Sequence, residues 1–190
     1  MRVSKMVLWF LPVLMVLSVS AVPASAQEVS AVELSGGWQL IRVGELFEDE
    51  AEVVPAGWYV DVAGNVTRML AIVGQVGGNY KSIDVFFDEV DAKAHEFLGG
   101  VRVSSRANAR VVPFGQFLVG ATRFRADSDL LGIDESETDF ALQVGGGVNL
   151  MATDRIGIRV GADYLRVFSE DEGTNVFRFV AGVVLPFGMR

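Results

Sequence analysis

Cysteine is missing from all 190 residues, which excludes disulfide staples, thiolate metal sites and a cysteine nucleophile. Histidine occurs once, at His95, too few for an imidazole metal cluster. Basic residues are the minority, 16 Lys and Arg against 24 Asp and Glu, for a formal charge of −8. The cationic footprint that nucleic-acid binding needs is therefore absent. Past residue 26 no uninterrupted apolar run approaches the ~18 residues of a spanning helix. Yet 51% of the residues are hydrophobic, more than a helix-poor, disulfide-free exported chain hides easily, and a closed barrel is one architecture that accommodates them.

The N-terminus has a separate purpose. Arg2 and Lys5 precede a nearly continuous apolar run from Met6 to Val22, and Ala24-Ser25-Ala26 forms a small-residue cleavage site before Gln27. This is the pattern of a secretory signal peptide over residues 1–26, with residues 27–190 as one mature domain. A membrane anchor is the alternative, opposed by Pro12 within the run and by the A-x-A site. Loss of Arg2 and Lys5 takes the charge to −10.

Strand periodicity dominates the remainder. From Phe177 the alternate positions Phe177, Phe179, Ala181, Val183, Leu185 and Phe187 form one unbroken apolar face, and the opposite face tolerates Arg178 and Gly182. Similar segments lie at about 31–42, 57–66, 68–76, 96–106, 111–125, 139–151 and 155–168, making eight, most near the ~9–11 residues of a tilted membrane strand. The expected fold class is all-β, an eight-stranded antiparallel up-and-down transmembrane β-barrel. Connections alternate long and short: 43–56, 65–67, 77–95, 107–110, 126–138, 152–154 and 169–174. Long loops outside and tight turns in the periplasm are the order such a barrel requires.

Charge follows the same division. Glu45, Glu48, Asp49, Glu50, Glu52, Asp84, Asp88, Glu89, Asp91, Asp127, Asp129, Asp134, Glu135, Glu137, Asp139, Glu170, Asp171 and Glu172 fall in or beside the long loops, whereas Arg68, Arg110 and Arg155 flank the short turns. No D-x-D-x-D-G calcium loop is present, so solvated surface is the simpler reading of the acids, and a crown that binds divalent cations or an unknown basic extracellular partner the sharper one. Inside, an eight-stranded barrel is only wide enough for side chains to fill. Parity assigns Glu33, Gln39, Asp61, Arg102, Gln143, Arg159, Asp163 and Arg178 to that filling, with Gln116 inward by polarity. This implies a lumen plugged by charged pairs. A narrow channel is the alternative, since Gly145-Gly146-Gly147 and Gly161 leave room there. Aromatics gather near strand ends, with Trp38, Trp58, Phe97, Phe124, Phe140, Phe168 and Phe177 toward the long loops and Phe114 and Phe187 toward the turns, as interfacial girdles would.

The segments 111–121, 140–147, 156–165 and 177–182 together resemble the small outer-membrane β-barrels of the OmpA-transmembrane and opacity-protein type. The spacing Gly182, Leu185, Phe187 is similar to the C-terminal assembly signal of such barrels, departing from it at Val180, where a polar residue is preferred, and in the trailing Gly188-Met189-Arg190. The resemblance implies outer-membrane localisation, contact with outer-membrane lipid including lipopolysaccharide, passage through the barrel assembly machinery, and no cofactor. It is nearly silent about activity, because such families span adhesins, structural proteins and small channels. Some small barrels modify lipids through a His near a Ser. Here His95 has Ser82 and Glu96 near it in sequence without a His-x-Ser-Asn pattern, and Ser104 and Ser105 fall toward the periplasmic end, so no enzyme is expected. The glycine triplet lies within a strand pattern with no helix after it, unlike a phosphate loop. A soluble lipocalin-like barrel would need the inverse orientation, apolar faces inward.

Overall fold

A computed structural model describes residues 29–43, 52–85, 88–128, 133–169 and 173–189. The leader at 1–26 lies outside the described residues, as do Glu45, Glu48, Asp49, Glu50, Asp129, Glu170, Asp171 and Glu172. Eight strands follow one another, β1 (Ser30–Val43), β2 (Glu52–Asn65), β3 (Leu70–Val85), β4 (Asp88–Ser104), β5 (Val111–Ser128), β6 (Ile133–Thr153), β7 (Ile156–Phe168) and β8 (Gly173–Met189). Each pairs antiparallel with the next, and β8 closes on β1. Closure leaves no unpaired sheet edge within the bilayer, where no water could satisfy it.

Ladder partners can be followed right round the wall. Val32 leads through Gly64, Ile72, Val101, Phe117, Val144, Tyr164 and Phe177 to Arg42, ten residues further along β1. That stagger tilts the strands steeply and sets a bore that side chains can span.

The pleat turns grease outward and polarity inward. Val62, Ile72, Val101, Phe117, Val144, Ile158, Val160, Phe179 and Val183 are exposed on the outer wall. Buried residues include many polar ones, with a smaller apolar group comprising Leu98, Leu118, Ala141, Leu165, Val167 and Val176. A soluble barrel with an apolar centre is thereby overturned.

The three short turns are closed by their own side chains. Thr67 Oγ1 accepts from the Met69 and Leu70 amides (3.2 and 3.0 Å), Asn108 Oδ1 from Arg110 and Val111 (2.8 and 3.3 Å), and Thr153 Oγ1 from Arg155 (3.2 Å). Such local bonds let a strand reverse within a few residues.

Several expectations need correction. Residues 77–95 and 126–138 are largely strand: β3 pairs with β4 out to Val85↔Asp88, and β5 with β6 out to Ser128↔Ile133. Alternation of apolar and polar residues marks a strand only where its faces differ in environment, and these stretches carry little of it. Phe114 is no girdle residue but lies inside the barrel, 8% exposed, and Phe124 belongs to the inward-facing set of β5 above the filled lumen.

Candidate functional site

Parity alone sends every second residue of each strand into the lumen, and the bore brings side chains from opposite walls within reach. All eight residues assigned there from sequence are buried: Glu33, Gln39, Asp61, Arg102, Gln143, Arg159, Asp163 and Arg178. They form two linked groups.

The group nearer the turns centres on Asp61 of β2. Its Oδ2 accepts from Arg159 Nη1 of β7 and from Ser35 Oγ of β1, both at 2.6 Å, and its Oδ1 accepts from Arg102 Nη1 of β4 at 3.2 Å. Arg159 also donates to Asn149 Oδ1 (2.8 Å), and Arg102 to Gln116 Oε1 (2.8 and 3.1 Å). Both guanidiniums lie over the Phe114 ring, that of Arg102 at 4.9 Å and that of Arg159 at 4.8 Å from its centroid. An aromatic ring close to two cations attracts both through its quadrupole, which is the physical reason for its inward placement. Below, Glu33 meets Arg106 and Asn65 (3.0 Å) at the rim of the short turns.

The second group centres on Arg178 of β8. Its Nη1 pairs with Glu96 of β4 at 2.6 Å and its Nη2 with Asp163 of β7 at 2.7 Å. Gln39 Nε2 donates to the same Glu96 oxygen at 3.0 Å, and Gln116 Nε2 to Asp163 Oδ1 at 3.1 Å, tying the two groups together. With its amide oxygen toward Arg178, Gln75 accepts from Nη1 and Nη2 at 2.7 and 2.9 Å. Gln143, fully buried, completes the level.

Because β4 and β8 stand opposite in a ring of eight, the Arg178–Glu96 pair crosses the whole bore. The cavity left between the groups, lined by Tyr59, Asp61, Phe114, Arg159 and Arg178 among others, measures about 10 Å³, room for at most about one water. Gly145 lies opposite Asp163 in the ladder, and the Asp163 carboxylate occupies the place a β-carbon would take. Gly77 stands in the same relation to Glu96.

Glu96 is the principal lumen residue that sequence reading assigned elsewhere, as a neighbour of His95. Its parity with Arg102 on β4 was the available signal. The structure turns Glu96 inward and His95 outward, against Tyr80, so the two face opposite sides of one strand. Ser82 is a β3 residue whose ladder partner is Asp91. Among the described residues no three His, Asp or Glu side chains form a metal-binding group. At the chain end Gly182, Leu185 and Phe187 pair with Gly37, Leu34 and Val32 of β1, with Phe187 exposed on the outer wall.

Comparison with known proteins agrees with this geometry. The family model described as outer membrane protein beta-barrel domain matches residues 11–187. Among solved structures, Neisserial surface protein A superposes with a TM-score of 0.62 at 13% identity, over 85% of this chain and 100% of that one. Ail, the attachment invasion locus protein of Yersinia pestis, gives 0.57 at 17% identity over 84% of this chain and 99% of that one. The same protein in complex with the heparin analogue sucrose octasulfate gives 0.58 at the same identity and coverage. At these identities the likeness is one of fold. No curated protein sequence matches.

Proposed function

Since the chain belongs to the outer membrane protein β-barrel family and resides in the outer membrane, we propose that it is a non-conducting, non-enzymatic barrel whose lumen is plugged by charged pairs and whose work is done by its extracellular hairpins. The observation that carries the plug is the Arg178–Glu96 pair, which joins opposite walls. Ions crossing would have to part this pair or the Asp61–Arg159 pair, each desolvated and each bonded to further partners, and separating such buried charges costs several kcal/mol.

The surface role rests on asymmetry of the wall. β3 continues for six residues past Asn79, the last of its residues paired with β2, and β6 begins seven residues before Phe140, the first of its residues paired with β7. β3 to β6 thus rise as a sheet above the girdle, bearing Asp84, Asp88, Glu89, Asp91, Asp127, Asp134 and Glu135. Ail is a structure solved with a sulfated sugar; an acidic crest such as this one repels polyanions and suits a cationic extracellular partner. Outer-leaflet lipopolysaccharide supplies the surroundings of the outer wall, and the Gly182, Leu185, Phe187 end, laid against β1, is the segment offered to the barrel assembly machinery.

Planar-bilayer recording of the refolded protein tests the plug. The expected result is no stable unitary conductance; reproducible single-channel steps at neutral pH would overturn it.

A further inference from the structure

The lumen is filled around its two buried groups but not at its turn end. There a cavity of about 310 Å³ opens beside the β4–β5 and β6–β7 turns, against about 10 Å³ left between the buried pairs above it. Its roof is polar: Glu33 and Asn149 line it, and Asn149 accepts from Arg159 of the Asp61 group. Its wall is apolar, built from Val112 on β5, Met151 on β6, and Val184 and Pro186 on β8. The cavity is thus a blind cup, closed toward the membrane by the Asp61 group.

Hydrogen bonding at the roof is incomplete. Ser30 Oγ at 3.3 Å, Asn65 Nδ2 at 3.0 Å and Arg106 Nη2 all donate to one oxygen of Glu33, Oε1. Its Oε2 accepts no hydrogen bond among the described residues, with Arg159 Nη2 standing 3.9 Å away. A buried carboxylate oxygen in that state has capacity for a further donor.

Charge around the mouth reverses the sign of the whole chain. The described residues at this end carry four guanidiniums, Arg68, Arg106, Arg110 and Arg155, against two carboxylates, Glu33 and Asp154, in a chain of formal charge −8. Arg106 is held by Glu33, Asn65 and the Arg68 carbonyl. Arg68, Arg110 and Arg155 are exposed and make no ion pair among the described residues. Ala109 and Asp154, the chain neighbours of Arg110 and Arg155, line the cup. A local cationic surplus beside an apolar hollow draws a ligand that is both anionic and greasy.

We propose that the cup receives the carboxy-terminal residue of a periplasmic protein tail that ends in a large apolar side chain. The side chain lies on Val112, Met151 and Val184, the last peptide N–H donates to Glu33 Oε2, and the terminal carboxylate meets Arg110 and Arg155. A blind cavity admits a chain end and not a through-running segment, and guanidiniums select the end that is negative. An acyl chain covers the apolar wall but leaves Glu33 Oε2 without its donor. The proposal rests on the orientation of the barrel, not on the plug's failure to conduct or on the acidic crest.

The test uses the chain from Gln27 onward, refolded into phosphatidylcholine nanodiscs and titrated with acetyl-Ala-Ala-Leu as the free acid or as the amide. Methyl NMR of Val112 and Val184 reports occupancy of the cup. The free acid should shift these methyls saturably, and the amide should bind about tenfold more weakly, as expected for loss of two exposed ion pairs. Arg110→Gln/Arg155→Gln should weaken the free acid by a similar factor, and Met151→Trp, which fills the cup, should abolish the shifts. Arg123→Gln, at the opposite end of the barrel, should leave affinity unchanged. Heat-modifiable gel mobility reports that each variant has folded, and the comparison of acid with amide on the unaltered chain needs no variant. Equal affinity for acid and amide, undiminished binding by the arginine variant, or shifts confined to outer-wall methyls such as Val101 and Val160 overturns the proposal. So does tighter binding of a peptide ending in D-Ala-D-Ala, which assigns the cup to a cell-wall stem peptide. Cross-peaks from lipid acyl chains to Val112 and Val184 that the peptide fails to displace overturn it as well, making the cup a lipid site.

Discussion

Asp61 illustrates what a single side chain must do in this lumen. Both its oxygens are engaged, by two guanidiniums and a hydroxyl, and it is 1% exposed. Asp61→Ala leaves Arg102 and Arg159 beside Phe114 without the carboxylate they share. The expected loss in urea unfolding of the lipid-embedded barrel is about 3–5 kcal/mol, as for removal of one partner from a buried pair. Asp61→Asn, which keeps an acceptor, should lose less. A stability unchanged in Asp61→Ala would show that water or lipid headgroups reach these arginines, and the plug would be untenable. The same scale explains Phe114: its neighbours in sequence mark it as interfacial, whereas its value lies in two cations contributed by other strands.

Within β6 the run Gly145-Gly146-Gly147 shows how an element accommodates its neighbour. A side chain at Gly145 would collide with the carboxylate of Asp163 and the backbone of Ala162 on β7. Gly145→Val should therefore displace Asp163 from Arg178 and destabilise the barrel by roughly 1–3 kcal/mol, the range for overpacking a filled interior. Val144→Ala, on the lipid side of the same strand, should change it far less. Unfolding midpoints of the two variants in the same lipid check the difference; equal effects would mean that the glycines serve strand curvature and not the ion pairs.

For the whole molecule, orientation is the decisive property. Trp38 and Trp58, ladder partners on β1 and β2, are both exposed on the outer wall near the extracellular boundary. Lipids brominated near the headgroup end of the chain should quench both more than lipids brominated at the chain terminus. Uniform quenching at all depths, or none, would contradict the placement of this girdle.

What the sequence determined alone is whatever depends on period and on chemistry that cannot be rearranged. Alternation over eight segments dictated strands, and the polarity difference between faces dictated which side met lipid, so Glu33, Gln39, Asp61, Arg102 and Arg178 could be assigned inward without coordinates. Absence of cysteine, and of any long apolar run past residue 26, narrowed the means of stability. Tertiary structure decided partnership. A stagger of ten residues determines that Arg178 reaches Glu96 on the far wall and that Arg159 shares Asp61 with Arg102, and stagger is a property of closure that no strand carries by itself. It also decided how far β3 to β6 continue past their last partners in β2 and β7, because there the residues carry no alternation to read and only the pairing of the backbones defines the strands.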